Sequence, residues 1–145
     1  MNGIGILEEN RRRRMKDYFA DGVYYEKFLV EENFDWLKCR VEKKKLVGYG
    51  VLSPRDCQHQ YEVLIEYSPY FYYRPDRVQI LKPDIPYDPK IHMYPDKTLC
   101  VYYPKDIAPT RTLHLVDLLP WVAEWPVKYE FWKKYKVWLG EEVPH

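Results

Sequence analysis

"IHMYPDKTLCVYY", residues 91–103, sets a histidine eight positions ahead of a cysteine, with Pro95, Asp96 and Lys97 between them. The stretch lies inside residues 83–110, which carry prolines at 83, 86, 89, 95, 104 and 109 and no sustained apolar period. Each proline fixes φ and removes a backbone donor, so the segment reads as a long, stiffened, irregular connection. Ordered loops of that length usually carry function. A reactive thiol has to be reached by a second molecule, and a proline-fixed loop between sheet and helix presents one better than a strand does. Cys100 is therefore the candidate nucleophile. The competing reading takes "LCVYY" as a short buried segment whose cysteine fills the core.

Upstream of the loop, three runs read as strands: "FDWLKCRVE" from Phe34, "LVGYGVLS" from Leu46 and "YEVLIEY" from Tyr61. In the third, Tyr61, Val63, Ile65 and Tyr67 face one way and Glu62 and Glu66 the other, the alternation of a half-buried antiparallel sheet. The short break "EKKK" favours a hairpin, and a meander is the simplest topology. A fourth strand, "RVQIL" from Arg77, follows "SPYFYYRP", whose Pro69 and Pro75 block regular pairing.

Downstream, Leu115, Leu118, Leu119, Val122, Trp125 and Tyr129 recur at helical spacing, with Asp117 as the expected cap and Pro120 in the first turn. Pro126 is expected to kink or break that helix, at a cost of about 3 kcal/mol in an ideal one. The tail "KYKVWLGEEVPH" then brings Trp138 back onto the body. At the other end, Leu7 to about Asp21 reads as a helix, its early glutamates and later arginines ordered to suit the dipole, with Asp21-Gly22 as a stop. "VYYEKFLVEE" fits helix and strand periods alike. The expected fold is α+β, one domain over residues 1–145: N-terminal helix, four-stranded antiparallel meander, loop with a cysteine, C-terminal helix covering the sheet.

Composition narrows the function. Twenty-three basic against 22 acidic side chains give a net charge of +1, which asks for neither nucleic acid nor a membrane surface. Hydrophobic residues at 46% and aromatics at 17% exclude a disordered chain. "MNGIGILEENRRRRMK" has no apolar block after its arginines, so no leader or spanning segment is expected and the cytoplasm is the expected compartment. Three cysteines without a close pair, Cys39, Cys57 and Cys100, disfavour a disulfide framework or a four-cysteine zinc site. Cys39 alternates with Leu37 and Val41 and reads as core, and Cys57 in "SPRDCQHQ" as a turn residue.

The order of elements, with "SPYFYYRPDRV", "IHMYPDKTLCVYYP" and a Trp-rich final helix, resembles the ubiquitin-conjugating enzymes. The match assigns Pro75 and Val78 to the proline-rich element, His92 to the motif histidine and Leu99-Cys100 to the nucleophile with its preceding aliphatic residue. More narrowly, "HMYPDKTLCVYYP", "LLPWVAEW", "YEFW" and "VPH" look like the stand-alone bacterial conjugating-enzyme-like proteins of short type II anti-phage cyclic-oligonucleotide signalling (CBASS) operons. Two departures stand out: Met93-Tyr94 replaces the Pro-Asn after the histidine, and the interval to the cysteine is short. The asparagine's oxyanion role passes to Tyr94, a backbone amide or the histidine, a choice left open.

The resemblance implies a cysteine-dependent acyl transferase. Cys100 would carry a protein C-terminus as a thioester, that of a cGAS-like nucleotidyltransferase, and pass it to an amine, with no metal or organic cofactor. Activation would come from a separate enzyme, since 145 residues without a glycine-rich nucleotide loop leave no room for adenylation. Asp96 and Asp106 are the acids nearest the thioester in sequence for orienting or deprotonating the amine. Asp96 also reads as a plain turn residue in "YPDKT". His92 either transfers a proton or, as loop histidines more often do, fixes backbone geometry. His59, His114 and His145 read as surface or helix-start residues. "RRRR" reads as a solvated helix face or, by resemblance, a docking site for the activating enzyme. The rivals are a partner-binding module of the same fold with an inert cysteine, a conjugating enzyme for a bacterial ubiquitin-like modifier, and a cysteine hydrolase. Against the last, no nucleophile elbow surrounds Cys100.

Overall fold

The computed structural model describes residues 22–71, 74–103 and 113–140. The helix expected over 7–21, the arginine run, Asp106 and His145 lie outside the described residues. The element order is helix α1 (Gly22–Asn33), strands β1 (Leu37–Glu42), β2 (Lys45–Leu52), β3 (Tyr61–Tyr67) and β4 (Asp76–Lys82), a 3-10 turn at Pro89–Ile91, and helix α2 (Leu115–Tyr135). The strands form one antiparallel sheet in the order β1-β2-β3-β4, the expected meander.

The ambiguous segment after Gly22 is helical, and Gly22, read as a stop, is the first residue of α1. Its β-branched and aromatic residues suit a strand by propensity, but its buried positions, Val23, Tyr25, Glu26, Leu29 and Val30, pair at helical spacings of three and four, 23 with 26, 25 with 29 and 26 with 30. Docking against the sheet and α2 decides the outcome, as tertiary burial commonly overrides propensity.

Alternation sets the inward sheet face. Leu37, Leu46, Leu52, Tyr61, Val63, Ile65, Val78 and Ile80 are all buried, and the register stacks them as cross-strand neighbours, Ile65 opposite Val78 and Val63 opposite Ile80. Gly50 is required on this face: a Cβ there would lie 2.2 Å from the Trp36 carbonyl oxygen. The β3 pattern matches the expectation, Tyr61, Val63, Ile65 and Tyr67 inward and Glu62 and Glu66 half-buried.

Helix α2 runs unbroken through Pro120 and Pro126 to Tyr135, so the expected break does not occur. Each buried Leu or Val contributes about 1.5–3 kcal/mol. Leu115, Leu118, Leu119 and Val122 are all fully buried, which offsets a penalty of about 3 kcal/mol at each of the two prolines. The start of the helix also differs from expectation. Its N-cap is His114, Pro120 falls in the second turn, and Asp117 sits inside the first. The cap comes from α1: Glu26 Oε2 accepts the Leu115 amide at 3.1 Å, and Oε1 lies 2.6 Å from His114 Nδ1. A carboxylate at the positive end of the helix satisfies an otherwise orphaned donor.

Candidate active site

The proline-rich connection is more ordered than its composition implies. Asp88 accepts the Lys90 amide at 2.9 Å and caps the 3-10 turn, and Trp125 Nε1 donates to the Ile91 carbonyl at 2.9 Å, pinning that turn to α2. His92 then adopts the left-handed region, φ 57°, which few non-glycine residues occupy. Beyond it the chain folds into a small hairpin. Met93 and Leu99 form an antiparallel bridge, Tyr94 N donates to the Thr98 carbonyl at 2.8 Å, and Lys97 N donates to the Tyr94 carbonyl at 2.9 Å. The hairpin is fastened to the edge of β4 by the Gln79–Thr98 bridge and by Leu99 N donating to the Val78 carbonyl at 2.7 Å. Edge strands need such covering.

This frame places Cys100 beside His92, whose carbonyl accepts the Cys100 amide at 2.9 Å. Cys100 is 4% exposed, where an exposed thiol was expected; the hairpin fastened to β4 draws the residue inward. The residue nonetheless reaches an opening. Cys100 borders a cleft of about 240 Å³ together with His92, Val101, four residues of α2 (Trp121, Glu124, Trp125, Lys128) and Trp138. The His92 ring stacks on Trp138 at 4.8 Å between centroids. Trp138 thus returns to the body as the tail sequence implies.

Burial pushes the Cys100 thiol up; a hydrogen bond from the Tyr94 side chain and the charge of Arg74 pull it back, and the Asp76 carboxylate pushes upward again. The Cys100 Sγ donates to the Tyr102 carbonyl at 3.2 Å. Asp76 lies on the inward face of β4, 1% exposed. Its Oδ1 accepts from the Tyr102 hydroxyl at 2.7 Å, and its Oδ2 lies 3.6 Å from Arg74 Nη1 with no hydrogen-bond partner among the described residues. Burial raises the Asp76 carboxyl against the opposing pull of Tyr102 and Arg74.

Asp96 stands apart from the cleft. Its Oδ1 accepts from the Thr98 amide at 2.9 Å and the Thr98 hydroxyl at 2.5 Å, the geometry of an Asx turn. Some burial acts to raise its carboxyl, but those bonds with Arg74 and Arg77 prevail and hold it below the ordinary value. The carboxylate on the cleft is Glu124. Sequence reading missed it, although 121, 124, 125 and 128 share one helical face, a spacing that marks a common surface. Cys39 and Cys57 are raised by burial to about 11 and about 12, and both are half-buried.

Helix, four-stranded meander, looped cysteine and covering helix together define the conjugating-enzyme-like class of α+β fold. The family model for type II CBASS E2 proteins matches residues 26–145, and the chain belongs to that family. Membership places it among the conjugating-enzyme-like proteins of anti-phage CBASS defence and implies a role alongside other CBASS components. No curated protein matches the chain. Among the described residues, no helix is long and apolar enough to cross a membrane.

Proposed function

We propose that the chain is a cysteine-dependent acyl transferase of the cytoplasm, in which Cys100 carries the C-terminus of a cGAS-like nucleotidyltransferase and delivers it to a target amine. The observation that supports this best is the shared cleft of Cys100 and His92 under three tryptophans. At about 240 Å³ it is smaller than the roughly 300–1,000 Å³ of a drug-sized ligand site, and suits a narrow chain end. The Cys100 thiolate attacks the carbonyl of a carrier thioester or adenylate made by a separate activating enzyme, expelling the carrier thiolate or AMP. An amine then attacks the new thioester, loses a proton and expels the Cys100 thiolate, leaving an amide. A thioester shielded in a cleft resists water while keeping its activation. His92 acts as a positioning residue for Cys100, Asp96 holds the turn of the hairpin, and Glu124 is the carboxylate placed to orient the amine.

The test supplies a cGAS-like nucleotidyltransferase and an activating enzyme, and looks for an adduct on Cys100 that reducing agent removes. Cys100→Ser is expected to give a stable ester in its place. The mass of the adduct separates a nucleotidyltransferase tail from a ubiquitin-like modifier, and no adduct with either donor ends the reading. A second reading, a partner-binding module with an inert thiol, is favoured by the 4% exposure and raised thiol; it predicts partner binding unchanged in Cys100→Ala.

A further inference from the structure

Arg74, Asp76 and Thr98, all buried, and the half-buried Tyr94 and Tyr102 form a polar cluster behind the thiol. Arg74 is 9% exposed. Its Nη1 donates to the Asp76 carbonyl at 2.6 Å and its Nη2 to Thr98 Oγ1 at 2.5 Å, so the guanidinium is fixed at both arms. In that position it lies face-on to the Tyr94 ring, 3.9 Å from its centroid. The Tyr94 backbone is fixed as well, between the Thr98 carbonyl and the Lys97 amide. The side chain that emerges from this clamp hydrogen-bonds Cys100. The thiol hydrogen is directed at the Tyr102 carbonyl, which leaves the sulfur lone pairs to accept.

We propose that Tyr94 is a catalytic hydrogen-bond donor to the Cys100 sulfur, and that Arg74 is the positioning residue that holds its ring and polarises its hydroxyl. A cation over an aromatic face draws electron density from the ring and makes the phenol a stronger donor. A donor aimed at sulfur favours the thiolate over the thiol, so the proton lost to solvent through the cleft leaves at lower pH than burial alone would allow. The other groups facing the thiol are His92 and Tyr102 from the loop, Asp76 from β4, and Glu124 and Lys128 from α2. Of these Asp76 opposes the thiolate, and its charge is already engaged by Arg74 and Tyr102.

The inference rests on Cys100 being the acyl-carrying thiol, so its test reads the thiol without any transfer. The rate of Cys100 alkylation by iodoacetamide is followed against pH in the full chain, each cysteine resolved by peptide mass spectrometry. In Tyr94→Phe the inflection is expected at higher pH, with labelling about tenfold slower at about pH 7.5. 3-Fluorotyrosine at position 94, a stronger donor of nearly the same shape, is expected to move the inflection down and decides the matter if Tyr94→Phe does not fold. Arg74→Lys, which keeps the charge and loses the planar stack, is expected between wild type and Tyr94→Phe. Coincident inflections in wild type and the fluorinated chain overturn the proposal, as does a Tyr94→Phe profile that only rises uniformly through greater access. A displaced profile without an acyl adduct ends the transferase reading alone; an unchanged profile with a normal adduct ends this inference alone.

Discussion

Cys57 and Cys100 make opposite use of similar surroundings. Each lies in an irregular segment near α2, with a tyrosine and a carboxylate within reach, and burial pushes each thiol up. By exposure and by cleft size Cys57 is the better candidate. It is half-buried where Cys100 is 4% exposed, and its neighbours Asp56 and Gln58 border a cleft of about 490 Å³. The charges reverse that ranking. After burial, Glu130 and then Asp56 push Cys57 up further, to about 12. At Cys100 the next two influences after burial, Tyr94 and Arg74, pull down. Thiolate chemistry depends on the sign of the neighbours more than on the volume of the opening.

The largest effect is expected from dismantling the cluster that gives Cys100 its favourable neighbours. Asp76→Ala removes the buried carboxylate beside the Arg74 guanidinium and leaves it only the exposed Asp96 carboxylate, 3.9 Å away. Removing one partner of a buried pair costs about 3–5 kcal/mol, which a urea unfolding midpoint would register. Asp76→Asn keeps the shape and the acceptor for Tyr102, and is expected to lose less. Equal stability of Asp76→Ala and wild type would mean that the pair does not organise this end of the molecule.

A smaller effect is expected from opening the cleft. Trp138→Ala removes the ring stacked on His92 and the contact with Trp125, costing about 1–2 kcal/mol of stability. Alkylation of Cys100 is expected to speed up at every pH without a displaced inflection, because access changes while Tyr94 and Arg74 stay in place. Labelling of Cys57 should not change. A displaced inflection would assign Trp138 an electrostatic part in the site.

These residues differ in how far they could be read beforehand. The β3 alternation and the packing of Trp138 are local or amphipathic signals, and the structure has them where the sequence implies; the proline-rich loop carries Cys100 as expected but holds it buried instead of exposed, because its hairpin is tied to β4. Asp76 was legible in part, since its spacing from Val78 and Ile80 sets an acid on an inward face. Its partners Arg74 and Tyr102 were not, because nothing local ties Tyr102 to a strand 26 positions earlier. The Glu26 cap spans 89 positions to Leu115 and displaced the local candidate Asp117 for the same reason. Asp96 was chosen for nearness in sequence to Cys100, whereas the cleft takes its carboxylate from the far helix.

The smallest expected effect sharpens the comparison from the Cys57 side. Glu130 accepts from the Gln58 amide at 2.8 Å, the His59 amide at 3.4 Å and the Tyr61 hydroxyl at 2.6 Å. Some burial acts to raise the carboxyl, but these bonds, with one from Cys57, prevail and hold it below its ordinary value. A carboxyl lowered in the folded state contributes stability above its unfolded value of about 4.3, and that contribution is lost as pH falls through the folded one. Glu130→Gln is therefore expected to cost about 1 kcal/mol at neutral pH and to flatten the acid limb of stability against pH. The same change removes a negative charge beside Cys57, so the Cys57 thiol should fall from about 12 and alkylate faster. Cys100 should keep its rate, because Glu130 is not among the groups acting on it. If Cys57 does not respond, its raised thiol comes from burial alone, and the sign of the charge loses its claim to distinguish the two cysteines.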